Sequence, residues 1–368
     1  MIYLDNAATT MIKPISVERA VISAMQTMAS PGRGGHVPAM RAAETVYECR
    51  AEAAGLFNVS DCERVVFTSN ATHSLNIAIR SIVRPGMRVA ISGYEHNSVT
   101  RPLKQVNADI VKAASPLFDR DAVLRAFNRV LPEADVAVCT HVSNAFGYIL
   151  PIYEIAELCS RYNVPMIVDA SQSAGILDVD YTALSPAFIA MPGHKGLFGP
   201  QGTGLLICGI SGEPLMSGGS GSDSVLQDMP EYLPDRLEAG THNVCGIAGL
   251  LEGIRYVRSR KIGTIFAHER LLLERMKEQL CAINELEVFS GEKQTGVISI
   301  RSKKMDCELL AQRLNENDIY VRSGLHCAPY AHESAGTLNT GTVRFSFSPF
   351  VSEHDIDLTC RCVKELLE

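Results

Sequence analysis

No apolar run in the sequence approaches the roughly 18–20 residues that a membrane helix requires, which excludes a chain built around such spans. Basic residues are in short supply. The chain has 34 Lys and Arg against 41 Asp and Glu, a formal charge of −7, where a nucleic-acid binder should carry a basic patch. The opening MIYLDNAATT has neither a basic start nor an apolar stretch, so no secretory signal is expected and a cytoplasmic location is. No pair of cysteines has C-x-x-C spacing, and their number, 11, is odd. The expectation is a set of free and mostly buried thiols, with no metal site. No internal repeat, coiled coil or low-complexity tail interrupts the chain.

What is present is an ordinary globular composition, 46% hydrophobic and 20% charged, over 368 residues. That length suits one large and one smaller domain. The first half alternates short apolar runs with helical spacing. The runs are 64–68, 88–92, 134–142, 165–171 and 187–191. In 71–83, Leu75, Ile79 and Ile82 share one face, and in 153–162 Ile155, Leu158 and Cys159 do. Near-continuously apolar strands separated by helices predict an α/β fold with a mostly parallel sheet covered on both faces. Ligands bind such sheets at the carboxyl ends of the strands. Residues 211–224, rich in Gly and Ser, read as a mobile loop. A long helical region follows from about 244 to 283, with a break expected near Ser259–Gly263. Strand and helix signals after it predict a smaller α+β unit. The expected division is an N-terminal segment, 1–15, a large domain, 16–255, and a small domain, 256–368.

Three stretches are chemically pointed. In 191–204, Lys195 sits among five glycines after an apolar run. Glycine permits close backbone approach and positive φ, and an amine with restricted solvation can form a Schiff base. The plain alternative is a surface lysine in a turn. Asp169 closes the apolar run at 165–171, so it falls at the carboxyl edge of the sheet. It could hold a ribose, bind a metal, pair with a ring nitrogen or cap the next turn. No G-x-G-x-x-G follows the first strand and no carboxylates cluster with it. A Schiff-base lysine with an acid on a pyridinium nitrogen is the pairing that pyridoxal phosphate uses. Residues 69–76, SNATHSLN, lie between a strand and a helix, where free N–H groups suit an anion. Ser69, Asn70 or Thr72 could equally be a simple N-cap.

Together these stretches resemble the class V aminotransferase family, of the pyridoxal-phosphate type I fold, and most closely its cysteine desulfurase branch. Nine segments carry the resemblance in order: YLDNAATT at 3–10, SNATHSLN at 69–76, EHNS at 95–98, SNAFG at 143–147, VDASQ at 168–172, GHKGLFGPQGTG at 193–204, EAGTHN at 238–243, RSGLHCAP at 322–329 and GTVRFSFS at 341–348. The resemblance implies a seven-stranded sheet in the large domain and a smaller C-terminal domain. It implies that Lys195 holds pyridoxal 5'-phosphate in a Schiff base, that Asp169 pairs with the pyridinium nitrogen, and that Gln172 reaches the ring hydroxyl oxygen. His96 would stack on the ring and move protons. Ala71, Thr72 and His194 would touch the phosphate. Thr241 would reach the phosphate of a neighbouring subunit, which makes the implied assembly a homodimer with shared sites. Asn144 and Arg344 would grip the substrate carboxylate, with Ala7 beside them, and the 30–36 segment would bring Arg33 and His36 toward the partner's site.

Cys327 decides the branch. RSGLHCAP resembles the shorter, group II motif, in which a thiolate attacks the sulfur of L-cysteine to give an enzyme persulfide and alanine. His326 and Arg322 would lower that thiol's pKa. The sulfur could pass to an acceptor protein. Leu325 stands where the motif has His, Pro192 where the family has Ser, and FSFSPF replaces the usual Tyr-Asn-Thr ending. The same Lys195 and Asp169 would also serve a selenocysteine lyase, a cysteine C–S lyase or an aminotransferase.

Overall fold

The computed structural model describes every residue except Arg33 and Ser224. The expected role of Arg33 therefore lies outside the described residues. No helix among them is long and apolar enough to cross a membrane.

Strands β1 to β13 span Ile2–Tyr3, Val65–Thr68, Arg88–Ser92, Asp109–Ala113, Val136–Thr140, Met166–Asp169, Phe188–Pro192, Gly204–Cys208, Leu286–Phe289, Val297–Ser302, Ile319–Tyr320, Arg322–Gly324 and Thr342–Ser346. Seven of them form the principal sheet, in the order β2-β8-β7-β6-β5-β3-β4. The pairs β3·β4, β3·β5, β5·β6 and β6·β7 are parallel, and β8 runs antiparallel to both β2 and β7. The mostly parallel α/β fold read from the sequence is the fold observed.

The strand alternation explains why both faces are covered. Side chains two residues apart share a face. Val136 and Val138 enter one core with Val89, Ile91 and Ile167. Ala137 and Cys139 enter the opposite core with Ala90, Met166 and Val168. On the first side lies the helix Ala71–Ile82, capped by the Asn70 side chain, which accepts from the His73 amide at 2.9 Å. Its buried Leu75 and Ile79 face the sheet, and Arg84-Pro85 follows its end. Two strands give no clear period-2 signal. β4 is an edge strand with Lys112 inside it, and β8 follows the glycine-rich stretch directly.

The long helical region divides at Lys261, whose φ is +67°, between the helices Val244–Arg260 and Ile262–Cys281. Beyond it a four-stranded antiparallel sheet, β12-β13-β10-β9, shares a second core with Leu272, Met276, Leu280, Ile356 and Val363. The N-terminus joins this unit: β1 pairs in parallel with β11, Ile2 opposite Ile319. The chain then runs back across the large sheet, so residues 5–10 lie between the two units.

Candidate active site

A cavity of ≈190 Å³ opens at the carboxyl ends of β5, β6 and β7, lined among others by Ala7, Ala71, Thr72, His96, Asn144, Asp169, Gln172, His194, Lys195 and Arg344. Ten of the residues singled out from the sequence thus meet at one place. Cys327 is not in its lining, and Thr241 lies in other surface cavities.

Two helix starts face this cavity. The Asn70 cap satisfies His73, and the amides of Ala71 and Thr72 at the helix end have no hydrogen-bond partner among the described residues. His96 caps the helix Asn97–Gln105: its Nδ1 accepts from the Ser98 amide at 3.0 Å. Thr72 Oγ1 and Ser98 Oγ, 2.8 Å apart, tie the two starts together. With Nδ1 accepting, neutral His96 carries its proton on Nε2. Burial, then Lys195 and the nearby arginines, push its pKa down to about 4.

Asp169 ends β6 and is 2% exposed. Its Oδ1 accepts from the Ser171 amide at 2.9 Å and the Ser171 hydroxyl at 2.5 Å. It does cap the next turn, yet Oδ2 keeps no partner among the described residues. Lys195 follows β7, and its Nζ likewise has no hydrogen-bond partner there. Burial lowers its pKa to about 8 against the opposing pull of Asp169, so a substantial fraction of the amine is neutral near that pH. The glycines around it allow the close backbone approach expected of them, and Gly202 takes a positive φ of 79°. A Cβ on Gly193 would lie 2.2 Å from Thr203 Oγ1, and one on Gly196 2.4 Å from the Ala174 carbonyl. They let the loop pack closely against its own protein.

Gln172 Nε2 donates to the Ala7 carbonyl at 2.9 Å, and His194 Nδ1 lies 3.0 Å from Thr9 Oγ1. Arg344 is 1% exposed. Its Nη2 meets Asp5 Oδ1 at 2.5 Å, its Nη1 donates to the Asn144 carbonyl at 2.9 Å, and its Nε is buried without a partner among the described residues. Asp5, Ser98 and Ser171 are thus site residues that the sequence reading did not single out. Each lies inside a quoted segment, but nothing local says which side chain it meets. An unpaired helix end, a free carboxylate oxygen and an unpartnered amine fit pyridoxal phosphate, which offers a phosphate, a basic ring nitrogen and an aldehyde.

The exposed thiol of Cys327 stands on a tense loop. His326 and Cys327 are consecutive left-handed residues, at φ 49° and 57°. Such backbone costs about 1–3 kcal/mol per residue and persists where surroundings hold it. Asn144 Nδ2 donates to the His326 carbonyl at 2.7 Å, and the Asn97 amide to the Cys327 carbonyl at 2.8 Å. His326 itself corrects one expectation. Its imidazole turns inward to Thr342 Oγ1 at 3.1 Å, and burial, then Arg344, hold its pKa well below the usual range. It is neutral and brings no positive charge to Cys327. His36 is the N-cap of the helix Val37–Leu56, accepting from the Ala39 amide at 3.3 Å. All 11 cysteines are free, and among the described residues no group of His, Cys, Asp or Glu could hold a metal.

Behind Lys195 a smaller cavity of ≈30 Å³ is lined by Glu269, Gln172, Lys195 and Ser348. Burial alone raises the Glu269 carboxyl from 4.5 to about 8, so it stays protonated in the fold at neutral pH and ionises on unfolding. Its contribution to stability is full below about 4.5 and is lost as pH rises through about 8. Thermal melts should therefore show Glu269→Gln gaining on the parent between pH 5 and 8, by at least about 2 °C. Parallel pH dependences would refute a protonated Glu269.

The family model "Aminotransferase class-V" matches residues 2–359. A probable cysteine desulfurase of Methanothermobacter thermautotrophicus is 34% identical, over 99% of this chain and 94% of the relative. One from Pyrococcus abyssi is 30% identical, over 100% and 94%. Among solved structures, the apo cysteine desulfurase of Thermococcus onnurineus superposes with a TM-score of 0.92 at 30% identity, covering 100% of this chain and 94% of that one.

Proposed function

The chain belongs to the aminotransferase class-V family, and from that premise we propose that it is a pyridoxal-phosphate-dependent cysteine desulfurase. It takes L-cysteine to L-alanine and carries the sulfur on Cys327. One observation supports this reading above the others. Asn144, in the wall of the Lys195 cavity, also holds the loop that presents the exposed thiol.

Pyridoxal phosphate, when bound, supplies an aldehyde for an amine and a ring that accepts electrons from the substrate carbon. The protein's own groups do the rest. The amides of Ala71 and Thr72, with His194, hold the phosphate at a helix start. The free oxygen of Asp169 would keep the ring nitrogen protonated, and Gln172 would reach the ring hydroxyl oxygen. His96, a neutral imidazole, would cover the ring face. Arg344, Asn144 and Ala7 hold the substrate carboxylate. The Lys195 amine, its pKa already lowered, removes the α-proton. The Cys327 thiolate then attacks the substrate sulfur. The new S–S bond forms as the C–S bond breaks, the electron pair of that bond goes to the substrate's β-carbon, which takes a proton, and return of the α-proton from Lys195 completes alanine.

The same reading makes the enzyme a homodimer in which Thr241 reaches the partner's phosphate. It leaves the persulfide on Cys327 open to an acceptor thiol. Product analysis tests it. With L-cysteine and a thiol, alanine and sulfide should appear one for one. Pyruvate with ammonia would instead mean a C–S lyase, and a keto-acid requirement an aminotransferase. A strong preference for selenocysteine would mean a selenocysteine lyase.

A further inference from the structure

We propose that the hydrogen bond between Glu238 and His242 is a positioning device, which closes the 238–243 loop and presents Thr241 to a second copy of the chain. The inference rests on the reading that Thr241 serves the neighbouring phosphate, and deepens it.

Glu238 is the fixed end. It is 7% exposed and its carboxylate takes four hydrogens. Arg50 gives two from its fork, at 2.8 and 2.9 Å, the Phe67 amide one at 2.6 Å, and His242 Nε2 one at 2.7 Å. Burial pushes this carboxyl up, but Arg50 and His242 outweigh it and hold the group below its ordinary range. An ionised carboxylate only accepts, so Nε2 of His242 carries the proton. Arg50 is itself fixed: it donates to the Val65 carbonyl and lies 4.7 Å from the centre of the Phe67 ring. The loop is thus hung from β2 and the helix Val37–Leu56.

The other end of the bond lies beyond Thr241. Gly240 between them has φ +95°, a conformation glycine adopts readily, and its amide donates to the Gly219 carbonyl at 2.8 Å. His242 turns back to Glu238, and Asn243 caps the next helix, accepting from the Gly246 amide at 3.0 Å. Every neighbour of Thr241 is therefore held from within the chain. Thr241 is exposed, and its side chain has no hydrogen-bond partner among the described residues. It stands at the rim of a surface cavity of ≈530 Å³ whose wall includes the exposed Met216. A hydroxyl fixed in this way meets a ligand on another molecule without first losing its own freedom.

His242→Phe tests the bond while sparing the buried Arg50–Glu238 pair. Phenylalanine keeps a ring edge-on to Phe67, now 6.4 Å away, and removes the donor. In the full-length enzyme, hydrogen exchange of the 239–242 amides should rise. The Kd for pyridoxal phosphate, read by titrating the apo-enzyme, should rise roughly tenfold. His242→Gln, whose amide can donate, should restore both. Thr241→Ala should weaken the cofactor similarly, and the double variant should bind no more weakly than Thr241→Ala alone. Unchanged exchange in His242→Phe, or losses that multiply in the double variant, would overturn the proposal. Wild-type cofactor affinity in Thr241→Ala would overturn the phosphate reading beneath it.

Discussion

Replacing Cys327 with alanine should cut alanine production from L-cysteine by roughly 10⁴-fold or more, while the protein keeps its bound cofactor and yellow colour. The expectation comes from where the sulfur sits. The thiol is exposed and outside the lining of the Lys195 cavity, so its loss removes none of the groups proposed to hold the ring or phosphate. On the proposed reading, what is lost is a nucleophile tethered to the protein in place of one arriving from solution. The left-handed backbone at 326 and 327, pinned by Asn144 and the Asn97 amide, is how the fold holds it there. Because the loop has that support, substitution of one side chain should leave it in place. Alanine release at the parent rate from Cys327→Ala would remove the persulfide from the mechanism.

Lys195→Ala should be as severe for a different reason. The variant should give no borohydride-stable adduct at residue 195 by mass spectrometry. Even saturated with pyridoxal phosphate it should turn over at least about a thousandfold more slowly, the scale of a lost general acid–base group. No other amine can take its place easily. Lys13 is the nearby candidate, its own pKa lowered to about 8 by burial. But its Nζ is committed to Thr10 Oγ1 at 2.6 Å and the His194 carbonyl at 3.0 Å, and it is not part of the cavity lining. An adduct elsewhere with full activity would show that Lys195 had been misassigned.

Much of this was legible because the signals are local. A strand that ends in Asp169, a strand followed by Lys195 and a helix opened by Asn70 each place a group at the same edge by chain geometry alone. The break at Lys261 fell inside the stretch expected for it. Local signals failed where burial or a distant partner decides. His326 reads as a cation beside Cys327, and becomes a buried neutral ring once β13 brings Thr342 to it. The glycines around Lys195 read as places of close backbone approach, and only the fold shows that Thr203 and the Ala174 carbonyl are what approaches Gly193 and Gly196.

By itself the sequence determined the alternation of buried strands and helices, the edge at which the site lies and the kinds of chemical group that reach it. These follow from periodicity and from what each side chain can do. The tertiary structure alone decided which charges pair and which are silenced. Arg344 meets Asp5 across 339 positions, Arg50 meets Glu238 across 188, and Glu269 meets no hydrogen-bond partner among the described residues and keeps its proton. Electrostatic energy depends on distance and on access to water, and neither is fixed until the chain has closed on itself.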